Sequence, residues 1–187
     1  MALKATIFKA SLQVSDMDRN YYGEHQLTLA RHPSETDERM MMRVLAFALN
    51  AHEHLQFGKG LSDQDEPDLW QRDLTGQVLH WIDVGQPEEK RLVRASGKAD
   101  RVTVYLYGRG ADIWWAASAD RLARAKNLAV WKVPADAAAS MAGLAERTMQ
   151  LQCTVQEEQI WFSSAAATAQ FSLACLQSRS PAASRSG

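Results

Sequence analysis

Between residues 4 and 14 the side chains alternate, with Thr6, Phe8, Ala10, Leu12 and Val14 on one side, and this period of two predicts a strand. The polar run Ser15-Asp16-Met17-Asp18-Arg19-Asn20 reads as a turn, and residues 24–30 as a returning strand with Leu27 and Leu29 on one face. Pro33-Ser34 then predicts a helix start, with Ser34 as N-cap and Asp37 in the capping-box position. The apolar stripe of that helix runs Met41, Val44, Leu45, Ala48 and Leu49. Glu38 and His52 continue it at sevenfold spacing from Leu45, and the pattern fades near Phe57-Gly58. Two β-rich segments, 68–74 and 78–84, flank Thr75-Gly76 and predict a hairpin. Pro87 with Glu88 and Glu89 suits the first turn of a second helix, where a missing N–H is harmless and acids meet the positive dipole end. Leu92, Ala95 and Ala99 form its apolar side, and Arg91, Arg94, Lys98 and Arg101 a basic stripe beside it. Residues 102–107 read as an interior strand, 119–126 as a helix, 128–133 as a strand, 136–147 as a helix, and 149–155 with 159–163 as a final hairpin.

Strands alternating with helices predict an α/β domain over residues 1–177, with a mixed sheet flanked by helices. The connection from Asp83 to Tyr105 is strand–helix–strand, which places those two strands parallel in one sheet. Residues 178–187 hold no core former and are expected to be a disordered tail.

The hairpin brings chemistry with it. With a turn centred on Thr75-Gly76, residues whose numbers add to 151 lie opposite one another, so Asp68 faces Asp83 and Trp70 faces Trp81. Opposed Cβ atoms in an antiparallel pair sit about 5 Å apart, and like charges there destabilise the pair. Two aspartates held against that penalty are what a hard divalent cation needs. A slip of one residue would send the two carboxylates to opposite faces.

Composition narrows the field. The chain has 187 residues, 46% hydrophobic and 23% charged, with a net charge of −1, so any nucleic-acid surface must be local. No apolar run approaches the ~20 residues of a membrane span, and the N-terminus lacks a signal-peptide layout. Cys153 and Cys175 have no metal-ligand or redox spacing and read as reduced, buried thiols of a cytoplasmic protein. In His52-Glu53-His54 the histidines are two apart and do not share a helix face, so the run reads as surface. His80 falls on the opposite hairpin face from Asp83, and Trp114-Trp115 reads as core or interface. Ser34, Ser96 and Ser118 have no neighbour that would activate a nucleophile.

Several runs together resemble the YaeQ family: Met1-Ala2-Leu3-Lys4-Ala5-Thr6-Ile7, Leu29-Ala30-Arg31-His32-Pro33-Ser34-Glu35-Thr36, Leu55-Gln56-Phe57, Asp65-Glu66-Pro67-Asp68, Trp81-Ile82-Asp83-Val84-Gly85-Gln86-Pro87, Ile113-Trp114-Trp115 and Arg147-Thr148-Met149. The resemblance covers nearly all the chain except the tail. It implies a restriction-endonuclease-like core of the PD-(D/E)XK type. In that superfamily two acids on adjacent antiparallel strands bind Mg²⁺ or Mn²⁺, and a lysine two residues after the second acid helps activate water. Pro67-Asp68 and Asp83 match the acids, while the lysine position is Gly85. The superfamily sometimes supplies the amine from the following helix, which makes Lys98 and Lys90 the candidates. An acid from the first core helix often reaches the metal; Glu38 is the candidate, with Glu35 and Glu53 as alternatives.

The resemblance thus implies metal-assisted phosphodiester hydrolysis of nucleic acid, with Asp68, Asp83 and Glu38 on the metal and Arg91, Arg94 and Arg101 on backbone phosphates. The alternatives are a non-catalytic nucleic-acid-binding or protein-interaction module on the same fold, and a small-molecule or nucleotide site in the acidic pocket.

Overall fold

The opening alternation becomes β1 (Thr6–Asp16), whose Phe8, Ala10, Leu12 and Val14 are buried, paired antiparallel with β2 (Tyr21–Arg31). The computed structural model describes residues 4–59, 61 and 63–180. After β2 comes α1 (Asp37–Leu49), which starts later than expected. The Ser34 hydroxyl is engaged by His32 Nδ1 at 2.6 Å, and Thr36 caps the helix instead, its Oγ1 accepting from the Arg39 N–H at 3.1 Å. Every residue from Met40 to Ala48 is buried. A helix buried on all sides needs neighbours on all sides, and α1 has them.

Those neighbours are two mixed sheets and another helix. Following α1 are β3 (Leu55–Phe57), β4 (Leu69–Arg72), β5 (Val78–Val84), α2 (Glu89–Lys98), β6 (Ala99–Leu106), α3 (Ala111–Leu122), β7 (Leu128–Lys132) and α4 (Ala135–Ala142). Then come β8 (Thr148–Gln156), β9 (Gln159–Ser163), β10 (Thr168–Ser172) and β11 (Ala174–Gln177). One sheet has the order β10-β9-β8-β1-β2, the other β11-β7-β6-β5-β4-β3. The single mixed sheet expected from the sequence is therefore two, because β1 recruits β8 as a parallel partner from the far end of the chain. Within the second sheet β5 and β6 run parallel, with Asp83 opposite Val104, as the crossover rule requires.

Between the two sheets lies the larger core, built around α1 and α4. A second core lies on the other face of the six-stranded sheet, where Leu92 and Ala95 of α2 and Ala111 and Leu122 of α3 cover Val102, Val104 and Val130. The molecule is a single α/β domain with four helices among the described residues, none long and apolar enough to cross a membrane. Of the two thiols, Cys153 is buried and Cys175 is exposed on β11. From the segment expected to be a tail, Arg179 donates to Thr103 Oγ1 at 2.9 Å and the Ser180 N–H to Lys126 O at 2.9 Å, while 181–187 lie outside the described residues.

Candidate functional site

The β4–β5 hairpin sets the geometry. Its turn is tied by Asp73, whose Oδ1 accepts from the Thr75 N–H at 2.8 Å, the Thr75 hydroxyl at 2.7 Å and the Gln77 N–H at 3.0 Å. Gly76 supplies a φ of +89° that a side chain would resist. Next to the turn Arg72 pairs with Val78, a sum one short of the expected register. Leu79 is then left unpaired as a bulge, and beyond it Gln71 faces His80, Trp70 faces Trp81 and Leu69 faces Ile82. The predicted register is thus reached, by way of a bulge rather than a plain two-residue turn.

One step beyond the paired residues the two aspartates meet. The Asp68 backbone N–H donates to Asp83 Oδ1 at 3.2 Å, and Asp68 Oδ2 accepts from the Val84 N–H at 2.9 Å. Both are almost wholly buried, at 2% and 1% exposure. Charges of that kind survive in a protein interior only when paired and hydrogen-bonded. Arg39 of α1 bridges Asp68 Oδ1 at 2.8 Å and Glu35 Oε2 at 2.7 Å. Arg43, one turn further, grips both oxygens of Glu35 at 2.5 and 3.1 Å. On the other side Arg91 of α2 forks onto Asp83, Nε to Oδ2 at 2.9 Å and Nη2 to Oδ1 at 3.1 Å. It also donates to the backbone carbonyls of Gln64 and of Glu66, so that it ties the preceding loop over the site. The Trp81 indole N–H completes the set on Asp83 Oδ2 at 3.0 Å. Burial and the neighbouring Asp83 carboxylate push the Asp68 carboxyl above its ordinary range, against the pull of Arg39 and the Val84 N–H.

A carboxylate has about four acceptor positions. Asp83 spends all of them, on Asp68 N–H, Trp81 Nε1 and two nitrogens of Arg91. A divalent cation needs open oxygens on both acids, so the acids in this arrangement do not fit one. Among the described residues no group of three or more His, Cys, Asp or Glu side chains converges as metal ligands.

The pair opens into a cavity of about 480 Å³ whose wall includes Arg39, Arg91, Arg94, Gln86 and Tyr107. Burial pushes the Tyr107 phenol up to about 12, so it is a hydrogen-bond donor at neutral pH. Arg94 is exposed and, among the described residues, has no hydrogen-bond or ion-pair partner, which leaves its guanidinium available to a ligand. Gly85, two residues after Asp83, has φ +88° and donates its N–H to Tyr105 O at 2.9 Å, ending β5.

The remaining candidates scatter. Lys90 and Lys98 are exposed on α2 and neither lines this cavity; Lys98 borders a small adjoining cleft with Asp65 and Trp81. Glu38 is half-buried on α1 and does not line the cavity either. Of its alternatives, Glu35 is locked between two arginines, and Glu53 is exposed beside His54. The basic stripe breaks at Lys98, where α2 ends; Arg101 falls on β6 opposite His80 and faces a different cavity. Sequence reasoning missed Arg39, Arg43 and the binding role of Arg91 toward Asp83. The spacing of Glu35, Arg39 and Arg43 at four-residue intervals was the available signal for the first two.

Comparison with known proteins adds the family. The sequence profile of the family described as YaeQ protein matches residues 1–173. A Salmonella typhi protein named "Uncharacterized protein YaeQ" is 46% identical over 166 residues, spanning 88% of this chain and 92% of its own. Its Escherichia coli K12 namesake is 45% identical over 164 residues, spanning 87% and 91%. The crystal structure of YaeQ protein from Xanthomonas axonopodis pv. citri superposes with a TM-score of 0.90 at 43% identity, covering 92% of this chain and 98% of that one. The YaeQ protein of Pseudomonas syringae does so with a TM-score of 0.90 at 35% identity, covering 94% and 97%.

Proposed function

The chain belongs to the YaeQ family, and from that premise we propose that its acidic cavity binds the phosphate backbone of a nucleic acid without cutting it, as a binding module on a nuclease-like framework. The observation that carries this reading is the saturation of Asp83, whose acceptor positions are filled by the Asp68 backbone N–H, the Trp81 indole and two nitrogens of Arg91. Asp68 and Asp83 act here as braces. They hold Arg39 and Arg91 rigidly at the cavity wall, while Arg94 extends from the same helix turn toward solvent with its donors uncommitted. The guanidinium of Arg94 matches phosphate oxygens in pairs, with Arg39 and Arg91 as fixed positive charges beside it, and backbone phosphates provide position without sequence choice.

A second reading, hydrolysis dependent on Mg²⁺ or Mn²⁺, has one observation in its favour. Among the described residues Asp68 accepts two hydrogen bonds, which leaves acceptor positions beside Asp83. That reading requires Arg91 to leave Asp83 and one of the exposed lysines, Lys90 or Lys98, to reach the cavity.

The two readings separate in one experiment. Wild type, Arg94→Gln and Asp83→Asn are mixed with labelled single-stranded DNA, RNA and duplex, in EDTA and in Mn²⁺, across a salt series. Binding without cleavage is expected in EDTA, weakening steeply with salt and several-fold weaker in Arg94→Gln. Mn²⁺-dependent cleavage that disappears in Asp83→Asn would establish the hydrolase instead. No binding to any of the three would end both.

A further inference from the structure

A second cavity, of about 380 Å³, lies between the two sheets, beside the C-terminal end of α1. Arg101 and Arg179 both line it. Arg179 is brought there by the last described residues of the chain: its Nη1 donates to Thr103 Oγ1 at 2.9 Å, and the following Ser180 N–H is anchored on Lys126 O at 2.9 Å. Thr103 Oγ1 is also 2.7 Å from His80 Nε2, and His80 faces Arg101 across the β5–β6 ladder. Two guanidiniums, a hydroxyl and an imidazole are therefore gathered in one place.

The two arginines lack counter-charges. Among the described residues neither has a carboxylate within ion-pair distance. The third arginine of this cavity shows the contrast: Arg19 is held to Asp16 at 2.7 Å and gives two further hydrogen bonds to Ala48 O and Ala51 O. The acids nearby are committed too, Asp16 to Arg19 and Asp18 to the N–H groups of Glu157 and Glu158, while Glu158 sits exposed at the rim. Burial and the charge of Arg101 push the Arg179 guanidinium down from its ordinary value, and burial with both arginines drives His80 down to about 3. Arg101 is exposed and Arg179 half-buried, so water screens part of their repulsion, and an anion bound between them would meet two guanidiniums without carboxylate partners. The rest of the wall mixes polar Asn50, His52 and Gln71 with an apolar and aromatic portion that includes Leu49, Trp131 and Leu173, and the Tyr105 hydroxyl is fixed by Asn50 Nδ2 at 2.7 Å.

We propose that this cavity binds a small organic phosphate monoester, its dianionic head on Arg101, Arg179 and Thr103 and its apolar body against Trp131, Leu49 and Leu173. A phosphate monoester carries close to two negative charges at neutral pH, matching two guanidiniums where a carboxylate would balance one. The site is independent of the Asp68–Asp83 cavity. One of its two arginines, Arg179, lies beyond residues 1–173, the span matched by the family profile.

The test is calorimetric titration of the full chain at pH 7.5 and constant ionic strength with phenyl phosphate, inorganic phosphate and benzoate. Phenyl phosphate is expected to bind saturably and tightest of the three. Arg101→Gln and Arg179→Gln should each weaken it about tenfold or more, the loss of a charged hydrogen bond, while Arg94→Gln in the first cavity leaves it unchanged. Absence of saturable binding, or equal loss in Arg94→Gln, overturns the site. Benzoate binding as tightly overturns the phosphate head, and inorganic phosphate binding as tightly overturns the apolar body. The His80 imidazole NMR signal of the wild type gives a check that needs no variant: it moves over the same ligand range, and a silent His80 overturns the location.

Discussion

Replacing Arg91 with methionine removes the fork that supplies two of the hydrogen bonds of Asp83 and frees the loop carbonyls of Gln64 and Glu66. The Asp83 side chain, 2% exposed, is left charged and half-satisfied in the interior. Removing one partner of a buried ion pair costs about 3–5 kcal/mol. The Arg91 side chain keeps 17% exposure, so water enters the vacated space and the lower end, about 3 kcal/mol, is expected. Urea unfolding followed by tryptophan fluorescence at pH 7 reads this directly. With a slope of about 2–3 kcal/mol per molar for a chain of this size, the midpoint falls by about 1–1.5 M. Asp83→Asn placed on top of Arg91→Met removes the stranded charge, and the double variant should recover about 2 kcal/mol relative to additivity. The Arg91→Met change also opens acceptor positions on Asp83, so Mn²⁺ should raise the midpoint of this variant more than that of the wild type. A midpoint shift below about 0.5 M, under ~1.5 kcal/mol at that slope, or strict additivity of the two substitutions, would refute the view that Arg91 neutralises a buried charge.

Three further outcomes follow from single side chains. His80 has its proton affinity lowered from the ordinary 6.5 to about 3, so its neutral form contributes stability that is present above 6.5 and lost as pH falls toward 3. His80→Gln should flatten the acid limb of a stability–pH profile by up to about 1.4 kcal/mol per pH unit, and parallel profiles would contradict the assignment. Thr36→Ala should cost about 1 kcal/mol of stability in thermal unfolding as the loss of an N-cap, with Ser34→Ala well below it; the reverse order would restore Ser34 as the cap. Gly85→Lys, which places an amine two residues after Asp83, forces a side chain into φ +88° and should cost about 1–2 kcal/mol without conferring Mn²⁺-dependent cleavage on a plasmid substrate.

The hairpin register and the parallel crossover were legible because both rest on short-range rules: number sums across a turn, and the handed return of a strand after a helix. Even there the mechanism differed, since Leu79 absorbs one residue that a plain turn would not need. The division into two sheets was not legible. Alternation says that β1 has a buried face, but nothing local says that its second neighbour begins at Thr148. Short strands such as β3, β10 and β11 carry too few positions to show a period. In the site, the aspartate pair was readable and its arginine partners were not. Glu35, Arg39 and Arg43 at four-residue spacing look like a solvated ladder on a helix face. Only the placement of α1 between two sheets turns that ladder inward. Arg101 was misplaced because a basic stripe does not reveal where its helix stops, and α2 gives way to β6 at Ala99.

The pairing of β1 with β8 also dictates when the fold can close. Lys9 lies opposite Thr148 in that ladder, so β1 waits on the ribosome for a strand made much later in the chain. Until then the β1–β2 hairpin carries a bare strand edge, a template for pairing with other chains. A polypeptide interrupted before Thr148 loses the centre of the five-stranded sheet rather than its margin. Such fragments are expected to aggregate rather than persist as a smaller domain, which makes the yield of this protein depend on translation running through β8.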